Sequence, residues 1–163
     1  VHLARLPSGG LLLRLRWTDA SRDLQPSPWP APDQGADRAG LRHTSGSDAF
    51  ADRACVMWPE QTGVHGSYPS LVMGARADPV RMACWTAGQG FSMLAAAGRG
   101  SVRSIDAEIR GASGRADGHW TVVFELPSIP DGTPLAFGVW DGALRHRDGL
   151  KFFSLWYQLT EAD

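Results

Sequence analysis

Short runs of β-branched, aromatic and other apolar residues, each closed by Gly, Pro, Asp or Ser, constrain this chain more than any other feature. They fall at 10–17, 54–58, 80–86, 101–110, 119–126, 134–140 and 151–159. In the first run Leu11, Leu13 and Leu15 share one face and Leu12, Arg14 and Arg16 the other, a period close to two that fits a half-buried strand. The tract 114–118 supplies a turn between two such runs and predicts a hairpin. Only 91–97 has helical character, and it is too short to build a helical layer. Strands without intervening helices predict an all-β fold: a two-sheet antiparallel β-sandwich with a few short helices.

From 18 to 48 the composition shifts to Pro, Gly, Ser, Asp and Arg, and Pro26, Pro28, Pro30 and Pro32 at alternate positions forbid regular ladder pairing. A long Pro/Gly-rich surface loop is expected there. The 163 residues suit one domain, so 1–163 is read as a single unit. Charged residues make up 20% and hydrophobic residues 43%, which fits a globular domain, and no apolar run approaches the roughly 20 residues that span a bilayer. The net charge of -1 leaves no basic surplus to meet a phosphate backbone, so nucleic acid is not an expected partner. The chain opens at Val1 with no charged start followed by an apolar core, as either a processed or a trimmed chain would.

The motif search removes several chemistries. There is no Cys-x-x-Cys-His, so haem is not attached covalently in the usual c-type manner, and two cysteines do not hold an iron–sulfur cluster. Nucleophile elbow, phosphate-binding glycine loop and paired metal-binding histidines are likewise absent. His2, His43, His65, His119 and His146 are scattered beside turn residues and read as solvated. Cys55 and Cys84 sit in separate strand runs; the sequence leaves open whether they pair or stay as two buried thiols. Trp58, Trp85, Trp140 and Trp156 either fill a core or line a cavity, and a tryptophan-rich sandwich also suits a secreted carbohydrate-binding module.

Two segments decide between these readings. The first runs Phe50-Ala-Asp52-Arg-Ala-Cys-Val-Met-Trp58-Pro59, then Tyr68-Pro-Ser-Leu-Val-Met73-Gly74 and Asp78-Pro-Val-Arg-Met-Ala-Cys-Trp85. The second runs Leu135-Ala-Phe-Gly-Val-Trp140-Asp141-Gly142, then Arg147-Asp-Gly149-Leu-Lys151 and Ser154-Leu-Trp156. Together they resemble the haem-binding γ subunits of the type II dimethyl sulfoxide reductase family, which includes those of ethylbenzene and dimethyl sulfide dehydrogenases and of selenate and chlorate reductases. The likeness covers roughly 50–159, and the Trp-Asp-Gly to Lys-x-x-Ser-x-Trp element is its most specific part. The chain departs from the family after Trp120, reading Val123-Phe124-Glu125-Leu126 where relatives carry an arginine.

The resemblance implies one non-covalent haem b with axial ligands Met73 and Lys151, the latter being the only lysine in the chain. Met57 and Met82 lie in strand runs and read as core, while Met93 falls in the expected helix. A ligating lysine binds as the neutral amine, and deprotonating it at pH 7 costs roughly 4 to 5 kcal/mol. Burial among Trp140, Leu150, Phe152 and Phe153 would lower that cost, which makes Trp140 and Phe153 expected cofactor contacts. The resemblance further implies a non-catalytic electron-transfer subunit in the periplasm. Its expected partners are a molybdopterin-containing α subunit, an iron–sulfur β subunit and a soluble carrier such as a c-type cytochrome.

Overall fold

The computed structural model describes residues 1–24, 50–61, 68–146 and 151–160. Most of the loop expected at 18–48, with His43, His65, Arg147 and Leu150, lies outside them. The described residues form β1 (His2–Arg5), β2 (Leu11–Thr18), β3 (Arg53–Pro59), β4 (Val80–Thr86), β5 (Gly90–Ala96), β6 (Arg103–Ser104), β7 (Arg110–Ala116), β8 (His119–Leu126), β9 (Pro134–Trp140), β10 (Phe152–Phe153) and β11 (Tyr157–Gln158). All pairings are antiparallel. One sheet has the order β1-β2-β8-β7; the other runs β10-β9-β3-β4-β5-β6, with β11 also on β9. The two pack face to face as a β-sandwich, as the sequence predicts.

Period-two patterning explains which faces meet. Leu11, Leu13 and Leu15 of β2 and Trp120, Val122, Phe124 and Leu126 of β8 turn inward onto Ala54, Val56 and Trp58 of β3 and Ala83 and Trp85 of β4. Trp85 and Trp120 meet edge to face across the core at 4.8 Å between centroids, and Trp17 joins them from β2. The middle strands of the larger sheet are buried on both faces. Cys55, Met57, Met82, Cys84, Leu94, Ala96, Ala136 and Trp140 form a second apolar cluster on its outer side, covered by Leu71, Met73, Val102 and Trp156. The continuous apolar runs in β3 and β4 record that double burial.

Three expectations are corrected. Residues 91–97 are not helical: β5 covers most of them, pairing along its whole length with β4 from Val80↔Ala96 to Thr86↔Gly90. There the tertiary ladder overrides the helical preference of an Ala-rich segment, and no helix occurs among the described residues. The run 101–110 yields only the short β6, and the hairpin partner of β8 is β7, whose sequence Arg-Gly-Ala-Ser-Gly-Arg-Ala is too polar to read as a strand. The chain reverses through Asp117 and Gly118, both left-handed at φ 50° and 71°, as two-residue hairpin turns require. Gly111 of β7 is dictated by space, because a Cβ there would lie 2.5 Å from the Phe91 ring and 2.3 Å from the Val123 carbonyl oxygen. The run 151–159 is split into β10 and β11 around Ser154.

Candidate functional site

A cleft opens on the outer face of the larger sheet, away from the core between the sheets. Its floor is Cys55 and Met57 of β3, Met82 of β4, and Ala136, Gly138 and Trp140 of β9; its walls are Leu71 and Met73 on one segment and Lys151, Phe153 and Ser154 on another. It encloses about 360 Å³, the space at its mouth included. All four residues singled out from sequence, Met73, Lys151, Trp140 and Phe153, line this one cleft.

Met73 is held in an unusual backbone state. Its φ is 68° and that of Gly74 is 72°, so two successive residues are left-handed, which for methionine costs about 1–2 kcal/mol. The surroundings enforce the turn. Gly74 N–H donates to Ser70 O at 2.8 Å, Gly98 N–H donates to Met73 O at 2.9 Å, and a Cβ on Gly74 would come within 2.6 Å of Asp78 O. The motif Met73-Gly74 therefore encodes a fixed direction for the methionine side chain.

Lys151 is placed by β9. Its Nζ lies 4.8 Å from the centroid of the Trp140 ring. Gly138 leaves room for both, since a Cβ there would touch the Trp140 ring at 3.2 Å and Lys151 Cδ at 3.4 Å. Ser154 clamps the following turn to β9: its N–H donates to Phe137 O, and Phe137 N–H donates to its Oγ, each at 2.9 Å. Trp156 then stacks on Tyr68, with its indole Nε1 donating to Pro69 O at 2.9 Å, which ties the lysine segment to the methionine segment. Within the Lys-x-x-Ser-x-Trp pattern the serine is thus a clamp and the tryptophan a brace.

Two details differ from the sequence reading. Met57 and Met82 are buried but also line the cleft, opposite each other in the β3–β4 register, so the floor presents thioethers of its own; Met93 instead points into the core between the sheets. Phe152 does not line the cleft; it is exposed, with its ring 4.9 Å from that of His146. Cys55 and Cys84, left open by the sequence, face each other on β3 and β4 with Cα atoms 4.1 Å apart and form a disulfide beneath the cleft. Trp58 and Trp85 are buried in the core and have no face to offer a sugar.

The side-chain donors along this cleft are three thioethers, one amine and the Ser154 hydroxyl, with no carboxylate or imidazole among the lining residues. Such a set suits a transition metal better than a hard cation. The fold and cleft define a β-sandwich that presents a thioether and an amine from two loops braced against each other.

The chain is 32% identical over 174 residues to the dimethyl sulfide dehydrogenase γ subunit of Rhodovulum sulfidophilum, covering 95% of this chain and 57% of that one. It is 30% identical over 166 residues to the chlorate reductase γ subunit of Ideonella dechloratans, covering 93% and 60%. A protein of Haloferax mediterranei named as a respiratory nitrate reductase haem subunit is 29% identical over 159 residues, covering 90% and 50%. The chain is thus similar to these γ subunits over more than nine-tenths of its own length. It spans between half and three-fifths of the length of these relatives. No family model matches it, and no solved structure does.

Proposed function

We propose that this chain is the electron-transfer subunit of a periplasmic molybdenum enzyme, carrying one non-covalent haem b with Met73 and Lys151 as axial ligands. The observation that carries the proposal is the convergence of these two side chains, from loops distant in sequence, on a single apolar cleft. The printed names of the relatives support it, since one is a haem subunit and two are γ subunits of a dehydrogenase and a reductase. The Cys55–Cys84 disulfide supports an oxidising compartment.

When bound, haem would supply one-electron redox chemistry. The chain's own residues supply the rest. Met73, fixed by its left-handed turn, offers a thioether, a soft ligand that favours the reduced metal. Gly138 leaves room for the Lys151 stem beside the Trp140 ring, and Phe153 lines the same cleft, so the lysine nitrogen is offered from its wall. Two protein ligands would leave no open position for a substrate, so substrate turnover belongs to a molybdopterin-containing α subunit. An iron–sulfur β subunit and a soluble carrier such as a c-type cytochrome complete the electron path.

A reduced-minus-oxidised optical spectrum with a pyridine haemochrome assay tests the reading. A b-type, six-coordinate low-spin signal is the expected result. Protein that takes up no haem on reconstitution would overturn it.

A further inference from the structure

Away from the cleft, three aspartates meet where the end of β2, the start of β3 and the end of β9 converge. One carboxylate oxygen from each of Asp19, Asp52 and Asp141 lies within 4.8 Å of the others. Asp52 is wholly buried and Asp19 is 3% exposed. Burial raises the Asp52 carboxyl above the ordinary carboxylate range and the nearby Asp19 adds to this, against the lowering effect of N–H groups from Gly142, Asp23 and Trp120. None of the three makes an ion pair among the described residues. The Arg115 guanidinium is close by but donates to the Asp19 main-chain oxygen at 2.7 Å.

Hydrogen bonds account for all but part of this cluster. Asp52 Oδ2 accepts from Asp23 N–H at 2.8 Å and Trp120 Nε1 at 3.0 Å, and its Oδ1 accepts from Gly142 N–H at 2.9 Å. Asp141 Oδ1 accepts from Leu144 N–H, and Asp19 Oδ1 from the N–H and hydroxyl of Ser21. Asp19 Oδ2 is enclosed with no partner. A buried carboxylate oxygen left in this state costs several kcal/mol unless a cation or proton meets it.

We infer that Asp19, Asp52 and Asp141 form a binding site for one calcium ion, unrelated to the cleft and independent of the haem reading. All the donors are oxygens, which selects a hard cation over zinc or copper. The three oxygens lie within 4.8 Å of one another, close enough to share a calcium, whose ligands at 2.3–2.6 Å sit up to about 5 Å apart. Asp23 packs on the same knot, because a Cβ on Gly142 would fall 2.6 Å from Asp23 Cβ, and it adds a further negative charge. A bound ion would tie the end of β2, in one sheet, to the paired ends of β3 and β9 in the other.

The full chain, stripped with EDTA and moved to chelator-free buffer, is titrated with CaCl2 by calorimetry and by thermal unfolding, then with Tb3+ for emission sensitised by Trp120, whose Nε1 touches Asp52. Expected are one saturable site with a dissociation constant of about 10⁻³ M or tighter, a midpoint raised by several degrees, and sensitised terbium emission displaced by calcium. Asp19→Asn and Asp141→Asn, checked for folding by circular dichroism, weaken binding at least tenfold. No saturable binding at millimolar calcium overturns the inference, as do folded variants that bind as tightly as the parent. If either variant fails to fold, the parent's titration and terbium emission decide alone.

Discussion

The indole nitrogen of Trp156 donates to the carbonyl oxygen of Pro69 at 2.9 Å, and through that bond the segment bearing Lys151 holds the segment bearing Met73. Replacing Trp156 with Phe keeps most of the ring stacking on Tyr68 and removes the bond, a net change of about 1 kcal/mol. Transfer of haem to an acceptor apoprotein is expected to run several-fold faster in Trp156→Phe, with the low-spin spectrum retained. An unchanged transfer rate would show that the brace has no part in cofactor retention.

Three methionines border the cleft, and only one is expected to coordinate. Met57 and Met82 sit on flat strand backbone as its floor, whereas Met73 is presented from a left-handed turn. Met57→Leu and Met82→Leu should each keep the six-coordinate spectrum and cost less than about 1.5 kcal/mol in stability. Met73→Leu and Lys151→Met should each change the axial ligand signature in near-infrared magnetic circular dichroism. A Met82→Leu protein that loses its thioether band while Met73→Leu keeps it would reassign the ligand.

The disulfide joins residues 29 apart in sequence across adjacent strands. In the chain-entropy picture, opening a loop of that size removes about 3–4 kcal/mol. A Cys55→Ala, Cys84→Ala double variant should show a urea midpoint lowered to match, and the parent should behave likewise under strong reductant. Equal midpoints with and without reductant would mean that the bond adds nothing to stability.

Gly111→Ala should destabilise by about 1–3 kcal/mol, since the new methyl meets both the Phe91 ring and the Val123 carbonyl oxygen. Gly114, also on β7 but with open space around it, is the control: Gly114→Ala should be near neutral or slightly stabilising. Thermal unfolding of the two variants side by side checks the contrast.

The inward face of β2 was legible because alternation survives where one side of a strand is solvated or thinly covered, and β8 and β9 were legible as strands though not by face. β7 was not, because its Gly and Ser residues serve a close approach to Phe91 and carry no apolar signal. β1 was hidden for a similar reason: His2, Leu3, Ala4 and Arg5 are all exposed, and the strand exists only through its ladder with β2. At the cleft, Met73 and Lys151 were found through a family likeness, since a single methionine and a single lysine have no periodicity to betray them. The aspartate cluster went unseen because its members come from three distant segments, and only the fold brings them within reach of one another.

Two faces of β3 and β4 serve two ends: one belongs to the interior between the sheets, the other is the floor of the cleft. The floor therefore takes its rigidity from packing that no cofactor touches. Order of assembly follows from this. The polypeptide can complete its sandwich and close its disulfide first, and whatever enters the cleft afterwards arrives at a finished surface, with only the two braced loops left to adjust around it.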